Sequence, residues 1–597
     1  MRGSQQHSDL WTLVWLSAVT LVLRAAYVLA LGDVFFYGEE LEKGTAAKGM
    51  LDGVGVAHHH LAYHYYEGGG FVVSHLKALA FLLTGEHVLA HKLVAACFVL
   101  AVLVAGYAFV RDSFGRRAAL WFGLLYAFSP ATFQKLSLIS LGIHFEACLF
   151  LLLALGLTAR ILREEQARRS LWFLLGVVCG FGLYFSYQVG LGAAVCLAAL
   201  ALGRPGALLR RGVLPGLAGT LLGGLPLLWM ALEVGSAVVD IHGVELTGTD
   251  AGGRLLPFLQ ALFVEGALGG VLEPWLWTVA AVGGLATVAF ARGPDARQTR
   301  ARIALPTAYL AAFLTVFALS DFVPPEVYHF FLALRLAPVW VIGLVPIAVA
   351  VAWLEGRESG TARRVGVLAG SALLAAGGLA SLGIVAEGRP GSPADNLDVL
   401  TRTKGYVYAG YFPKFVPHLP EGDEQRLEIL LGFDEPDRDW LLTEACAVLF
   451  EAPLPDVEAV LKRGREVIGA VAPGRVEAFE RGLGPLLLRA ADWDLARALE
   501  RAGAAPEGLR ARLLEGLGRV GSGPYPTIDV LAEEAKLGRG LADPTPYLEG
   551  LGQRLYENST MRLMWNRAEA FIESRPAVER TALRTGFERA LAQHRLP

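Results

Sequence analysis

Up to residue 386 the chain is a succession of long apolar runs separated by short polar loops, and beyond that point neither feature recurs. Runs of about twenty apolar residues are long enough to cross a bilayer as helices. The later stretch is rich in Glu, Arg and Leu and reads as short amphipathic helices punctuated by Gly and Pro. The pattern predicts an all-α chain in two parts. Residues 1–388 form a polytopic bundle of about eleven transmembrane helices, 389–420 a linker, and 421–597 a separate α-helical domain.

Loop charge then orients the bundle. Arg and Lys gather at 111–117, 160–169, 204–211, 292–302 and 357–364, whereas 33–70, 233–273 and 321–329 are acidic or neutral. Basic loops stay in the cytoplasm, so the second set lies outside. Between the outer loop at 33–70 and the basic loop at 111–117 only one crossing fits, and Val88 to Val110 is the longer and more apolar candidate. Residues 71–83, which carry Ser74, His75 and Lys77, therefore read as an amphipathic helix in the membrane interface. The N-terminus falls inside and the C-terminal domain outside, which in a double-membrane bacterium is the periplasmic face of the inner membrane.

Composition agrees: 597 residues, 54% of them hydrophobic, make an integral membrane protein. A net charge of −3 leaves no basic surplus, which argues against a nucleic-acid partner. Of five cysteines only Cys446 falls in the C-terminal part, so no internal disulfide holds that domain. Arg24 interrupts the first apolar run, Leu10 to Leu31, and no small-x-small cleavage site follows. That run is expected to remain as an anchor.

The chemistry concentrates just after this anchor. Glu39 and Glu40 stand side by side, and a His- and Tyr-rich stretch follows at His58, His59, His60, His64, Tyr65, Tyr66 and Glu67. Paired carboxylates at the exit of a span suit a membrane enzyme handling a polar substrate at the bilayer surface. Solvated loop acids are the bland reading. For the imidazoles three readings stand side by side: phosphate or substrate contact, a divalent cation, or a polar loop. No cysteine lies near and the spacing fits no familiar zinc pattern, so no metal ligand is assigned. Further along, His144 and Glu146 sit at the outer end of a span. Arg335 lies a few residues into a late one, where a guanidinium needs an anion or carbonyl partner such as a lipid phosphate, Asp321 or Glu326.

These residues resemble a known family. Glu39-Glu40 followed by Met50-Leu51 and Gly53 is similar to the first-loop pattern of lipid A aminoarabinose transferases and bacterial protein mannosyltransferase-like enzymes. His64-Tyr65-Tyr66-Glu67, then Phe71 through Leu79 and Gly85, continues the register. So do Lys92-Leu93, Tyr107 and Arg116-Arg117. Leu334-Arg335-Leu336-Ala337-Pro338 resembles a late motif of the same enzymes. The resemblance is good up to about position 200, looser through the rest of the apolar part, and absent from the C-terminal domain. It implies a GT-C-type glycosyltransferase taking a sugar from a polyprenyl-phosphate carrier on the outer face, for a lipid, glycan or protein acceptor. It makes Glu39 the expected base, with Glu40 orienting the acceptor or a metal. His58, His59, His60, His64, Tyr66, Glu67, His144 and Arg335 become the expected substrate contacts. Two positions depart from the family: its first acid is Asp, here Glu39, and its Lys after Tyr-x-Glu, which contacts the carrier phosphate, is here Gly68. These departures favour an alternative, a non-catalytic membrane anchor presenting a periplasmic interaction domain.

That domain carries a repeat. Gly482, Gly516 and Gly550 are evenly spaced, each opening a Gly-Leu-Gly triplet, and Gly586 follows at a slightly longer interval. The period suits a helix-turn-helix solenoid of the tetratricopeptide sort, with glycine allowing close helix approach and a protein partner as the expected ligand. A scaffold that packs on the membrane part is the other reading.

Overall fold

A computed structural model describes residues 2–31, 38–54, 68–235, 272–290, 296–319, 335–386, 393–406, 422–432, 457–521, 528–562 and 565–596, with 439, 441–443 and 449 between them. The chain is all-α, as its apolar pattern predicts. Two isolated bridges, His87 with Lys404 and Thr403 with Arg595, are the only extended pairings among the described residues.

Two compact units emerge. The first comprises Met1–Ala30, His64–His75 and Lys92–Gly388; the second comprises Leu31–Tyr63, Leu76–His91 and Arg389–Pro597. The sequence pattern groups the whole first loop with the membrane part; here 31–63 and 76–91 cluster instead with the C-terminal residues.

In chain order, α1 (Arg2–Leu31) precedes α2 (Gly38–Asp52) and α3 (Gly68–Thr84). The first unit then continues through α4 (Val88–Phe114), α5 (Arg116–Ala127), α6 (Ala131–Leu136), α7 (Cys148–Arg163), α8 (Arg169–Phe185) and α9 (Gln188–Gly203). Among the described residues four helices are long and apolar enough to cross a membrane: Asp9–Ala30, Val88–Phe114, Ala337–Glu355 and Gly360–Gly383. A fifth span arises if the bent pair Gln188–Gly203 and Pro205–Gly223 is one broken crossing. Glycine sets the closest approach in this unit. A Cβ on Gly176 would lie 2.1 Å from the Gly216 carbonyl oxygen, and one on Gly180 would lie 2.3 Å from that of Thr220. From the other side, Gly219 and Gly223 press on the carbonyls of Phe173 and Val177. Lipid tails are as apolar as leucine, so helices there gain little from burying leucine and associate through such backbone contact. Leu214, Leu217 and Leu221 on the same segment stay exposed.

In the second unit, α2 and the end of α3 join the C-terminal helices. Four helical segments, Val476–Arg481 with Gly484–Ala490, Glu507–Val520, Thr545–Arg562 and Ala577–Gln593, pack in sequence order. Shorter helices Leu495–Gly503, Ile528–Gly538 and Trp565–Glu573 lie between them in the chain and pack on them. The repeated triplets explain the stacking. A Cβ on Gly516 would lie 2.1 Å from the Arg481 carbonyl oxygen, on Gly550 2.0 Å from that of Glu515, and on Gly586 1.8 Å from that of Glu549. The second glycine of each triplet faces the other neighbour: Gly484 meets Gly516, Gly518 meets the Tyr547 carbonyl, and Gly552 meets that of Leu583. Between them Leu483, Leu517 and Leu551 are fully buried. The triplets that open at Gly516 and Gly550 thus each contribute one glycine backward, one forward, and a leucine to the core.

Candidate functional site

The acidic pair opens a helix. Glu39 and Glu40 occupy the first turn of α2, where carboxylates favour the helix N-terminus. Glu39 is half-buried and Glu40 fully buried. The ammonium of Lys77, on α3 and itself buried, donates to the Glu40 carbonyl oxygen at 2.9 Å. Ala46 and Ala47 are fully buried two turns further along α2, and Gly44 lets the helix approach residues 404–406. A Cβ at position 44 would lie 1.8 Å from the Gly405 carbonyl oxygen and 2.7 Å from the His91 ring. His91 bonds that carbonyl through Nε2 at 2.5 Å.

Cations are buried around this helix. Lys43, Lys48, Lys77 and Lys404 are all at most 7% exposed. Lys48 bonds Asp52 and lies 3.2 Å from Glu86, with the Tyr406 ring beneath it. Burial disfavours its charge, but the hydrogen bonds and charges of Asp52 and Glu86 outweigh that and raise its pKa. Reading the sequence for chemistry passes over these lysines. The signal was available, because Lys43 and Lys48 flank the small residues Gly44, Thr45, Ala46 and Ala47 on α2 and Lys77 interrupts an apolar helix, and buried ammonium groups need partners.

His144 and Arg335 belong to the first unit. His144 is buried in the turn before α7, with its Nδ1 3.3 Å from Gln188 Nε2. Glu146 beside it accepts the Leu141 backbone N–H at 2.8 Å, which makes it a turn-holding group. Arg335 is half-buried just before helix Ala337–Glu355. His58, His59, His60, His64, Tyr66 and Glu67 lie outside the described residues, as do Asp321, Glu326 and most of the 233–273 loop. Among the described residues no group of three or more His, Cys, Asp or Glu is placed to hold a metal ion.

Gly68, which stands where the resembling enzymes carry lysine, has a steric reason. A Cβ there would lie 2.3 Å from the Tyr184 carbonyl oxygen, and one on Gly69 would lie 1.7 Å from that of Gly142. Gly142 is itself in the left-handed region, with φ of 91°. The start of α3 closes on the end of α8 so tightly that position 68 has no room for a side chain.

One buried cation in the first unit also escapes a reading of the residues for chemistry. Arg24, 1% exposed, donates to Gln134 Oε1 at 2.6 Å, Ser137 Oγ at 3.1 Å and the Ala127 carbonyl at 3.3 Å. Gln134 in turn donates to the Ser129 carbonyl and Ser381 Oγ. A guanidinium inside an apolar bundle is here held through Nε and one terminal nitrogen by carbonyl, amide and hydroxyl oxygens.

With this geometry in view, comparison with known proteins adds the following. Residues 69–229 match the family model described as dolichyl-phosphate-mannose-protein mannosyltransferase. The crystal structure of ArnT from Cupriavidus metallidurans bound to undecaprenyl phosphate is similar at 12% identity and a TM-score of 0.40, over 97% of this chain and 76% of that one. The apo structure of the same protein gives 13% identity and a TM-score of 0.43, over 68% of this chain and 79% of that one. No curated protein sequence matches the chain. From α3 into helix Leu225–Val234 the chain therefore resembles GT-C-type membrane glycosyltransferases, as its first-loop motifs imply.

Proposed function

We propose that this protein is an inner-membrane glycosyltransferase that moves a sugar from a polyprenyl-phosphate carrier to an acceptor on the periplasmic face. The observation that carries the reading is the family match over 69–229, beginning in the helix that holds Lys77 against the Glu40 backbone. In the proposed step the half-buried Glu39 carboxylate takes the proton of an acceptor hydroxyl or amide. Its heteroatom bonds the anomeric carbon from the face opposite the leaving group, the bond from that carbon to the phosphate oxygen breaks, and polyprenyl phosphate departs. Glu40 orients the acceptor. The imidazoles of His58, His59, His60 and His64, with Tyr66, Glu67, His144 and Arg335, are assigned to substrate and to the carrier phosphate. The N-terminus is cytoplasmic and the C-terminal domain periplasmic, reached through the 389–420 linker.

The purified protein is expected to consume radiolabelled polyprenyl-phosphate sugar, and Glu39→Gln to lower that rate at least a hundredfold. Full activity in Glu39→Gln would remove Glu39 from the chemistry.

One observation favours a second reading. Position 68 has no space for the lysine with which the resembling enzymes meet the carrier phosphate, so a non-catalytic relative that anchors the periplasmic domain is the alternative. Donor bound but never consumed, in wild type and Glu39→Gln alike, would decide for it.

A further inference from the structure

The C-terminal helices enclose a cavity of about 210 Å³ lined by Arg481, Glu515, Arg519, Gln553, Arg589 and Asp439, among others. It owes its lining to the repeat. Arg481, Glu515 and Glu549 each directly precede a Gly-Leu-Gly triplet and so recur with the same even spacing. Arg519 and Gln553 each stand one helical turn further along than Glu515 and Glu549, and so share a stripe with them. Every step of the stack therefore places polar side chains in one row.

The charges in that row are unequally matched. Glu515 accepts from Arg589 at 2.7 Å and from Gln553 at 3.1 Å, and Arg589 reaches Glu549 at 2.8 Å as well. Asp439 is held by Arg475. Both lining carboxylates are thus engaged. Of the three lining guanidiniums, Arg481 has no hydrogen-bond or ion-pair partner among the described residues, although it is only half-exposed. Arg481 is thus a lining cation with no counter-charge among the described residues. A planar guanidinium fork in a partly enclosed site is built for an oxyanion held by two parallel bonds. A single unmatched cation suits a monoanionic carboxylate better than a phosphate dianion.

The shape of the row points to a peptide. Packed helices lie about 8–10 Å apart, and an extended chain advances about 3.3 Å per residue. Each helix of the stack thus spans about three residues of a linear ligand laid across it, and Gln553 and Gln593 offer amides of the kind that bond a peptide backbone. We propose that this face binds an extended acidic peptide segment, with a carboxylate seated in the cavity on Arg481 and between Arg519 and Arg589.

The test uses the full-length protein in detergent micelles and a fluorescein-labelled hexaglutamate peptide, followed by fluorescence anisotropy. Wild type is expected to bind it saturably, Arg481→Gln at least tenfold more weakly with an unchanged melting temperature, and the hexaglutamine peptide not at all. Arg481→Lys should recover part of the affinity, since charge without the fork retains one of two bonds. Equal binding by wild type and Arg481→Gln, equal binding of hexaglutamine, or no binding of hexaglutamate at millimolar concentration would each overturn the proposal. Inorganic phosphate that raises the melting temperature of wild type but not of Arg481→Gln, where the peptide does not, would assign the cavity to phosphate and overturn it as well.

Discussion

Helices close on glycine in both units, but different forces stand behind the same contact. Between α8 and the segment Val213–Gly223, Gly176, Gly180, Gly219 and Gly223 bring backbones together while Leu214, Leu217 and Leu221 point away, exposed. Between Glu507–Val520 and Thr545–Arg562, Gly518 and Gly550 do the same around Leu517 and Leu551, which are fully buried. The membrane-type pair gains nothing by hiding leucine and relies on contact alone. The C-terminal stack hides leucine from water and adds ion pairs along its edges, Arg512 with Glu480, Arg539 with Glu579 and Arg589 with Glu549. One motif thus serves two solvents because backbone contact is useful in both, while everything around it is chosen by the solvent.

Substitutions at the glycines should break this comparison most forcefully. Gly550→Leu drives a side chain into the Glu515 carbonyl and is expected to cost more than about 4 kcal/mol, the range reserved for gross overpacking. Limited proteolysis of the full-length protein should then cut within 476–593. Gly180→Leu should instead part α8 from Val213–Gly223 and leave the C-terminal helices protected. If both variants gave the same digestion pattern, the two contacts would not be independent.

Next in size is a buried ion pair that the membrane-type contact lacks. Arg554 and Glu534 meet at 2.5 Å with 4% of each side chain exposed. Arg554→Met removes a buried cation from Glu534 and is expected to cost about 3 kcal/mol, whereas Arg554→Met with Glu534→Leu should recover most of that loss. Chemical denaturation of the three proteins reads the difference. No recovery in the double variant would mean that the pair contributes stability beyond mutual compensation.

Acid sharpens the contrast further. Burial, then the charges of Lys404 and Arg519, push His594 down to about 3 from 6.5. The folded chain holds it neutral, while the unfolded chain takes a proton below pH 6.5. Stability is therefore complete above pH 6.5 and declines as pH falls towards 3, by roughly 2 kcal/mol between pH 6.5 and 5. His594→Gln should flatten that slope in melts of the C-terminal helices; an unaltered slope would assign it to other groups. Smallest of all, Arg539→Ala at the pair with Glu579 should leave the melting temperature almost unmoved.

Much of this architecture was legible in the residues. The change of pattern near residue 386 separates long apolar helices from short amphipathic ones, and the even spacing of Gly482, Gly516 and Gly550 marks the stack. The helix expected over 71–83 is present as α3, yet its polar side chains Ser74 and Lys77 turn inward and Leu76, Leu79, Leu82 and Leu83 outward. Periodicity tells that a helix has two faces and is silent on which one meets protein. Glu39 and Glu40 are visible as a pair, but their unequal burial depends on how α2 is rolled, which Gly44 against Gly405 sets from a distant part of the chain. Arg24 reads as a mere interruption because the partners it finds are a backbone carbonyl, Gln134 and Ser137, groups with no charge to advertise them.

The paired glycines of the stack work as a coupling with a plug on one side and a socket on the other. Because Gly516 and Gly518 have the same roles as Gly550 and Gly552, a duplicated repeat would dock at both ends without inventing a new joint. On helix Ala577–Gln593 only half of the coupling is made: Gly586 reaches back, while two positions on stands the exposed Glu588. A charged, exposed side chain at that place gives a neighbouring backbone carbonyl no close approach of the kind that Gly518 and Gly552 allow.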